Sequence, residues 1–272
     1  MTTDPDDEGL REAAARVGWR LRAGAFLTAG LMVLLAFATS LSVVEVLALP
    51  VFFVLLPALA VAQLPLLDWE PLERVPVYIG SIVTILGVGA LGAILSMRLE
   101  GVAPAGLLPL PTVELLAWTL GTTLAAFVVI LLFRPLEQRI GGGRSALLRD
   151  LLPQTRRERR LFVGLSFSAG IGEELAYRGY AYQAVQLLGL GPWGAALISS
   201  VPFAFLHAYQ GPVGILRTGT MGFILAVPVV MTGSLLPSMA AHALIDLLIG
   251  LVLGPYLLTG HDEGVVLPGV EE

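Results

Sequence analysis

Residues 161–188 read LFVGLSFSAGIGEELAYRGYAYQAVQLL. The stretch is long and apolar enough to cross ~30 Å of hydrocarbon, which takes roughly 20 helical residues. Yet Glu173, Glu174 and Arg178 fall inside it, and no other charged residue does. A charge near the bilayer centre costs about 2.5–3.5 kcal/mol on insertion scales. Three such charges so close together are tolerated only where they face protein or a hydrated cavity and neutralise one another. The stretch therefore implies an all-α membrane protein and marks a functional site within it.

Composition supports the class. Of 272 residues, 56% are hydrophobic and 14% are charged, with a mean hydropathy of +0.83. Soluble domains carry about 25% charged residues, and this chain has too few to cover a soluble surface. A β-barrel would show alternating segments of about 10 residues rather than runs of about 20. No cysteine is present, which excludes a disulfide framework, a thiol nucleophile and a cysteine zinc site. There is no lysine either: all 16 basic residues are arginine.

Outward from 161–188, apolar runs predict a polytopic bundle of about eight transmembrane helices. They are expected at 23–42, 46–66, 77–97, 113–133, 161–188, 193–209, 216–232 and 237–258. The join near Glu45 is weak, so the first two runs also read as one long helix plus a re-entrant piece. The polar start, residues 1–22, is too long and too charged for a cleaved signal peptide, and the first apolar run reads as a retained helix. Arginines cluster in that segment and again at 134–160, with Arg74 on the same side. By the positive-inside rule both termini are expected in the cytoplasm. The 134–160 loop also carries Gly141-Gly142-Gly143, which reads as a break. It separates a four-helix scaffold (23–133) from a four-helix catalytic region (161–258), with a tail at 259–272. The basic loop is expected to contact lipid headgroups, and no nucleic-acid role is expected.

The ionisable residues of the membrane segments concentrate in the second half. Glu174 and Arg178 are i,i+4 and share a helix face, so they are expected to pair. Glu173 points about 100° away and is left free. His207 and His242 sit in apolar runs on two further helices, and Asp246 is i,i+4 from His242. His261 lies in the tail and is expected to be idle. These groups are the kind that activate water. Glu173, His207 and His242 would leave an open position on Zn²⁺ or another divalent metal. Without metal, Glu173 with His207 would deprotonate water, and His242 with Asp246 would support an oxyanion. There is no HExxH pair for a zincin and no GxSxG elbow for a serine hydrolase. A proton or ion pathway would use the same residue types.

The order Glu173-Glu174-x-x-x-Arg178, Phe203-x-x-x-His207, His242-x-x-x-Asp246 resembles the CPBP family. That family comprises the type II CAAX prenyl endopeptidases and their bacterial Abi relatives, which include bacteriocin-processing and immunity proteins. The resemblance covers about residues 161–258. It implies a CAAX-protease-like helical bundle and an intramembrane endopeptidase, labelled a metalloprotease in many relatives, acting on a peptide or membrane-anchored protein. It also implies that Glu173, assisted by His207, activates water, that His242 and Asp246 complete the site, and that Glu174 and Arg178 accompany them. The prenyl-protease branch typically has Asn where this chain has Asp246. A bacterial cytoplasmic-membrane location is expected, with a peptide substrate rather than a prenylated one. The rival expectations are a proton-coupled carrier, with broken helices matched in two halves, and a non-catalytic immunity or scaffold protein.

Overall fold

The computed structural model describes residues 5–66, 73–99, 106–140 and 150–253. The predicted glycine break at 141–143, with Arg144 and Arg149, falls outside them, as do His261 and the tail.

Among the described residues eight helical units follow one another. Helix α1 is Pro5–Ala38. Helix α2 spans Val43–Leu66, with a π-helical turn at Val51–Leu55. Helix α3 is Arg74–Ser96 and α4 is Thr112–Ile140. Helix α5 runs over 156–186: an α-helix Arg156–Glu174, a π-helical stretch Leu175–Ala181, then Tyr182–Gln186. Helix α6 is Pro192–Leu206 and α7 is Gly211–Thr232. Helix α8 is Leu236–Leu253, ending in a π turn from Ile249. Among the described residues there is no named strand; one isolated bridge joins Gly106 to Ser234.

The all-α membrane class is as read from the sequence. Among the described residues, six helices are long and apolar enough to cross a membrane by length and composition. Helix α6 has only 15 residues, and α5 carries the charged cluster. The expected ambiguity at Glu45 resolves as two helices: residues 39–42 break the chain, and the Ser42 side chain caps α2 by accepting from Val44 N–H at 3.2 Å. Residues from Pro5 on, read as a polar segment before the membrane, extend α1.

The outside of the bundle is apolar and part of its inside is polar. Phe37 is 89% exposed and Phe26 78%, while Glu174 and Arg178 are buried. In water that inversion would be untenable; against lipid it is the expected arrangement. The chain is an integral membrane protein.

Small residues let the backbones approach where the polar cluster lies. A Cβ added to Gly92 of α3 would stand 2.7 Å from Ala176 Cα, and one on Gly172 of α5 would stand 2.6 Å from Ile85 O. A Cβ on Gly170 would stand 2.7 Å from Met239 O of α8. The α3–α5–α8 layer is thereby held at backbone contact, and α8 brings His242 beside α5.

One end of the bundle is tied by polar contacts. Tyr78 Oη of α3 donates to Leu151 O at 2.5 Å, and Arg74 pairs with Glu158 at 3.9 Å. A capping box starts α5. Thr155 Oγ1 accepts from Glu158 N–H at 3.2 Å, and Glu158 Oε2 accepts from the N–H groups of Thr155 at 2.9 Å and Gln154 at 2.8 Å. Those backbone donors, with Arg74 adding a smaller effect, hold the Glu158 carboxyl below the ordinary carboxylate range.

Candidate active site

Glu174 is the hub of the buried polar cluster. Its side chain is 0% exposed and its Oε1 lies 3.1 Å from Arg178 Nη1. The same oxygen lies 2.8 Å from His242 Nδ1 of α8. Arg178 Nη2 donates to Gly222 O of α7 at 2.7 Å. The guanidinium carbon stands 4.3 Å from the centre of the Phe203 ring on α6. One ion pair thus ties α5, α6, α7 and α8 together. Gly222 is required by this packing, since a Cβ there would meet Phe203 Cδ1 at 2.9 Å and Arg178 Nη2 at 3.1 Å. The pairing of Glu174 with Arg178 is as their spacing implies.

His242 reaches from α8 to α5. Its Nδ1 engages Glu174, and its Nε2 stands 3.9 Å from both Glu173 Oε2 and Asp246 Oδ2. Asp246 therefore makes no direct hydrogen bond to the imidazole. With Nδ1 engaged by Glu174, Nε2 is the ring nitrogen that faces Glu173 and Asp246. Exposure divides the carboxylates by circumstance: Asp246 is 33% exposed and Glu173 14%, against zero for Glu174. Among the described residues, Glu173 Oε2 is buried without a hydrogen-bond partner.

His207 sits at the C-cap of α6. Its Nδ1 is 3.0 Å from Phe203 O, one turn back, so the ring folds toward its own helix. Glu173 accordingly meets His242, not His207, and no ion-pair contact joins Glu173 to His207 among the described residues. The two imidazoles are connected through Phe203, whose ring centre lies 5.0 Å from that of His207 and 6.1 Å from that of His242. The short α6 explains how His207 and mid-helix Glu173 come to one region: α6 ends at Leu206, three residues earlier than the apolar run suggested.

A cavity of about 660 Å³ opens beside this region. Phe203 and His207 line it; Glu173, Glu174, His242 and Asp246 are not among its lining residues. Polar residues with no assigned part in the sequence reading also line it. Arg217 of α7 contacts Glu137 of α4 and donates to Gln210 Oε1 at 2.7 Å. Arg134 of α4 lines the same cavity. Arg217 was legible as the lone charge in an apolar run; its partner Glu137, 80 residues away, was not.

The residues do not fit a metal as arranged. Among the described residues no group of three or more His, Asp or Glu side chains is gathered closely enough to hold an ion. Glu173, His207 and His242 are not gathered as such a group; the bonds of His207 Nδ1 to Phe203 O and of His242 Nδ1 to Glu174 leave the Nε2 atom of each ring free of them.

Residues 157–248 match the family model described as Type II CAAX prenyl endopeptidase Rce1-like. The match spans every residue of the buried cluster and agrees with the CPBP resemblance. No curated protein and no solved structure matches the chain.

Proposed function

We propose that the chain is an intramembrane endopeptidase whose water-activating base is Glu173, on the match of residues 157–248 to the Rce1-like type II CAAX prenyl endopeptidase model. The observation that carries this reading is the 3.9 Å separation of His242 Nε2 from both Glu173 Oε2 and Asp246 Oδ2. One water spans such a gap with hydrogen bonds to each side. Glu174, sealed and bonded to Arg178, acts through His242: it fixes the ring so that Nε2 faces Glu173 and Asp246.

The steps follow from those positions. Glu173 takes a proton from water as the water oxygen bonds to the scissile carbonyl carbon. His242, protonated at Nε2 and held by Glu174 on its other nitrogen, donates to the developing oxyanion. Asp246 stabilises the imidazolium. Collapse of the tetrahedral intermediate breaks the C–N bond, and the proton on Glu173 passes to the leaving amine. His207, on the cavity wall, orients the peptide where it reaches this centre. No step is routed through a metal, since the ligand set is not assembled. The substrate is a peptide or membrane-anchored protein entering by the cavity. The 161–258 region carries the chemistry on the 23–133 scaffold, with the arginine-rich end in the cytoplasm.

The test is Glu173→Gln in proteoliposomes with a peptide library read by mass spectrometry. Turnover should fall by about 10²-fold or more, the scale of a lost general base. Unchanged turnover would refute the assignment.

A further inference from the structure

The cavity holds a cation that its surroundings, among the described residues, leave unneutralised. Arg134 and Glu137 are i,i+3 on α4, so they share a face. Glu137 does not pair with Arg134, because Arg217 of α7 contacts it. Arg217 is also held by Gln210, whose Oε1 accepts from Thr218 Oγ1 at 3.2 Å as well. Gln210 follows His207 by one 3-10 turn. Arg134 is half-buried and lines the cavity, yet among the described residues it has no ion-pair or hydrogen-bond partner. Elsewhere the lining is mainly apolar, with Phe162, Leu225 and Ile249 among its residues.

We infer that Arg134 is a specificity determinant that binds a carboxylate of the peptide substrate, while the apolar lining takes its neighbouring side chains. A guanidinium matches a carboxylate with two parallel N–H···O bonds. The locked Arg217–Glu137 pair supplies the contrast: it is satisfied within the protein and leaves Arg134 as the group for an incoming anion. The inference rests on the endopeptidase reading for its substrate. A carboxylate could come from a chain terminus or from an acidic side chain, and the experiment separates them.

Binding is measured apart from turnover, on the Glu173→Gln protein in zwitterionic vesicles. The probes are three fluorescent octapeptides ending in apolar residues: one with a free terminus, one amidated, one amidated with a single internal Glu. The free-terminus peptide, or the internal-Glu peptide, should bind about tenfold or more tightly than the plain amide. Arg134→Gln should abolish that preference without weakening the amide, and Arg134→Lys should restore part of it. Arg139→Gln, an exposed arginine on the same helix, should change nothing. In the active enzyme the Arg134→Gln effect should fall on KM and leave kcat within about twofold.

Equal binding of all three peptides to the unaltered arginine would overturn the inference even if Arg134→Gln fails to fold. So would an equal loss for every peptide, the same loss from Arg139→Gln, or a dependence on anionic vesicles instead of on the peptide. Carboxylate-dependent binding without cleavage by the Glu173 enzyme would sink the endopeptidase reading and leave this site standing.

Discussion

Arg178→Ala removes the cation from a carboxylate that is 0% exposed. The lost contacts are the 3.1 Å pair with Glu174, the 2.7 Å bond to Gly222 O and the stacking on Phe203. Breaking one side of a buried ion pair costs about 3–5 kcal/mol, because the stranded charge has no solvent. That is roughly 10²- to 10⁴-fold in the folded-to-unfolded ratio. At about 2–4 °C per kcal/mol for a chain of this size, Tm should fall by about 6–20 °C. The assay is thermal unfolding in detergent, followed by the monodisperse fraction surviving on size exclusion. A comparison isolates the cause. Glu174→Gln/Arg178→Met removes both charges, keeps an amide oxygen for His242 Nδ1–H, and should recover a substantial part of the loss. If Arg178→Ala melts within about 2 °C of the wild type, or the double variant is no better than the single, the buried pair does not hold these helices.

Two further outcomes are expected. Gly222→Ala should cost stability by overpacking, about 1–3 kcal/mol, since its Cβ would lie 2.9 Å from Phe203 and 3.1 Å from Arg178; a Tm at or above wild type would contradict the close approach. The first turn of α5 should loosen in acid. Glu158 has a depressed folded-state pKa, so its stabilisation is full above the ordinary carboxylate pKa and is lost as pH falls through the lower folded value. Hydrogen exchange of the Glu158–Leu161 amides should therefore accelerate, after correction for intrinsic rates, between about pH 5 and about pH 3; a flat corrected profile would remove the capping role.

The fold class was readable because lipid imposes one rule on every span, and apolar length reports it. Glu174 with Arg178 was readable because four residues of helix place two side chains on one face. Contacts that depend on tertiary approach were not readable. His242 finds Glu174 68 residues away, not the Asp246 one turn along its own helix, because Gly170 lets α8 press against α5. The start of α5 was hidden by hydropathy although its signal was present. Thr155-x-x-Glu158 is a capping box, and the arginines after it diluted the apolar run, which moved the expected start to Leu161. Helix α6 was overextended for the opposite reason: Ala208 and Tyr209 continue the apolar pattern while the backbone has already turned at His207.

The π-helical stretch Leu175–Ala181 has a consequence for how α5 tolerates change in length. A wider turn stores surplus chain without lengthening the rod in proportion. Removing one codon within it would let the segment relax to ordinary α geometry. The residues downstream would keep their faces, because the lost residue is the one the wider turn had absorbed. Tyr182 and Val185 would stay turned inward. A one-residue gap in this window is therefore absorbed, whereas the same gap within Arg156–Glu174 would turn everything after it by about 100°.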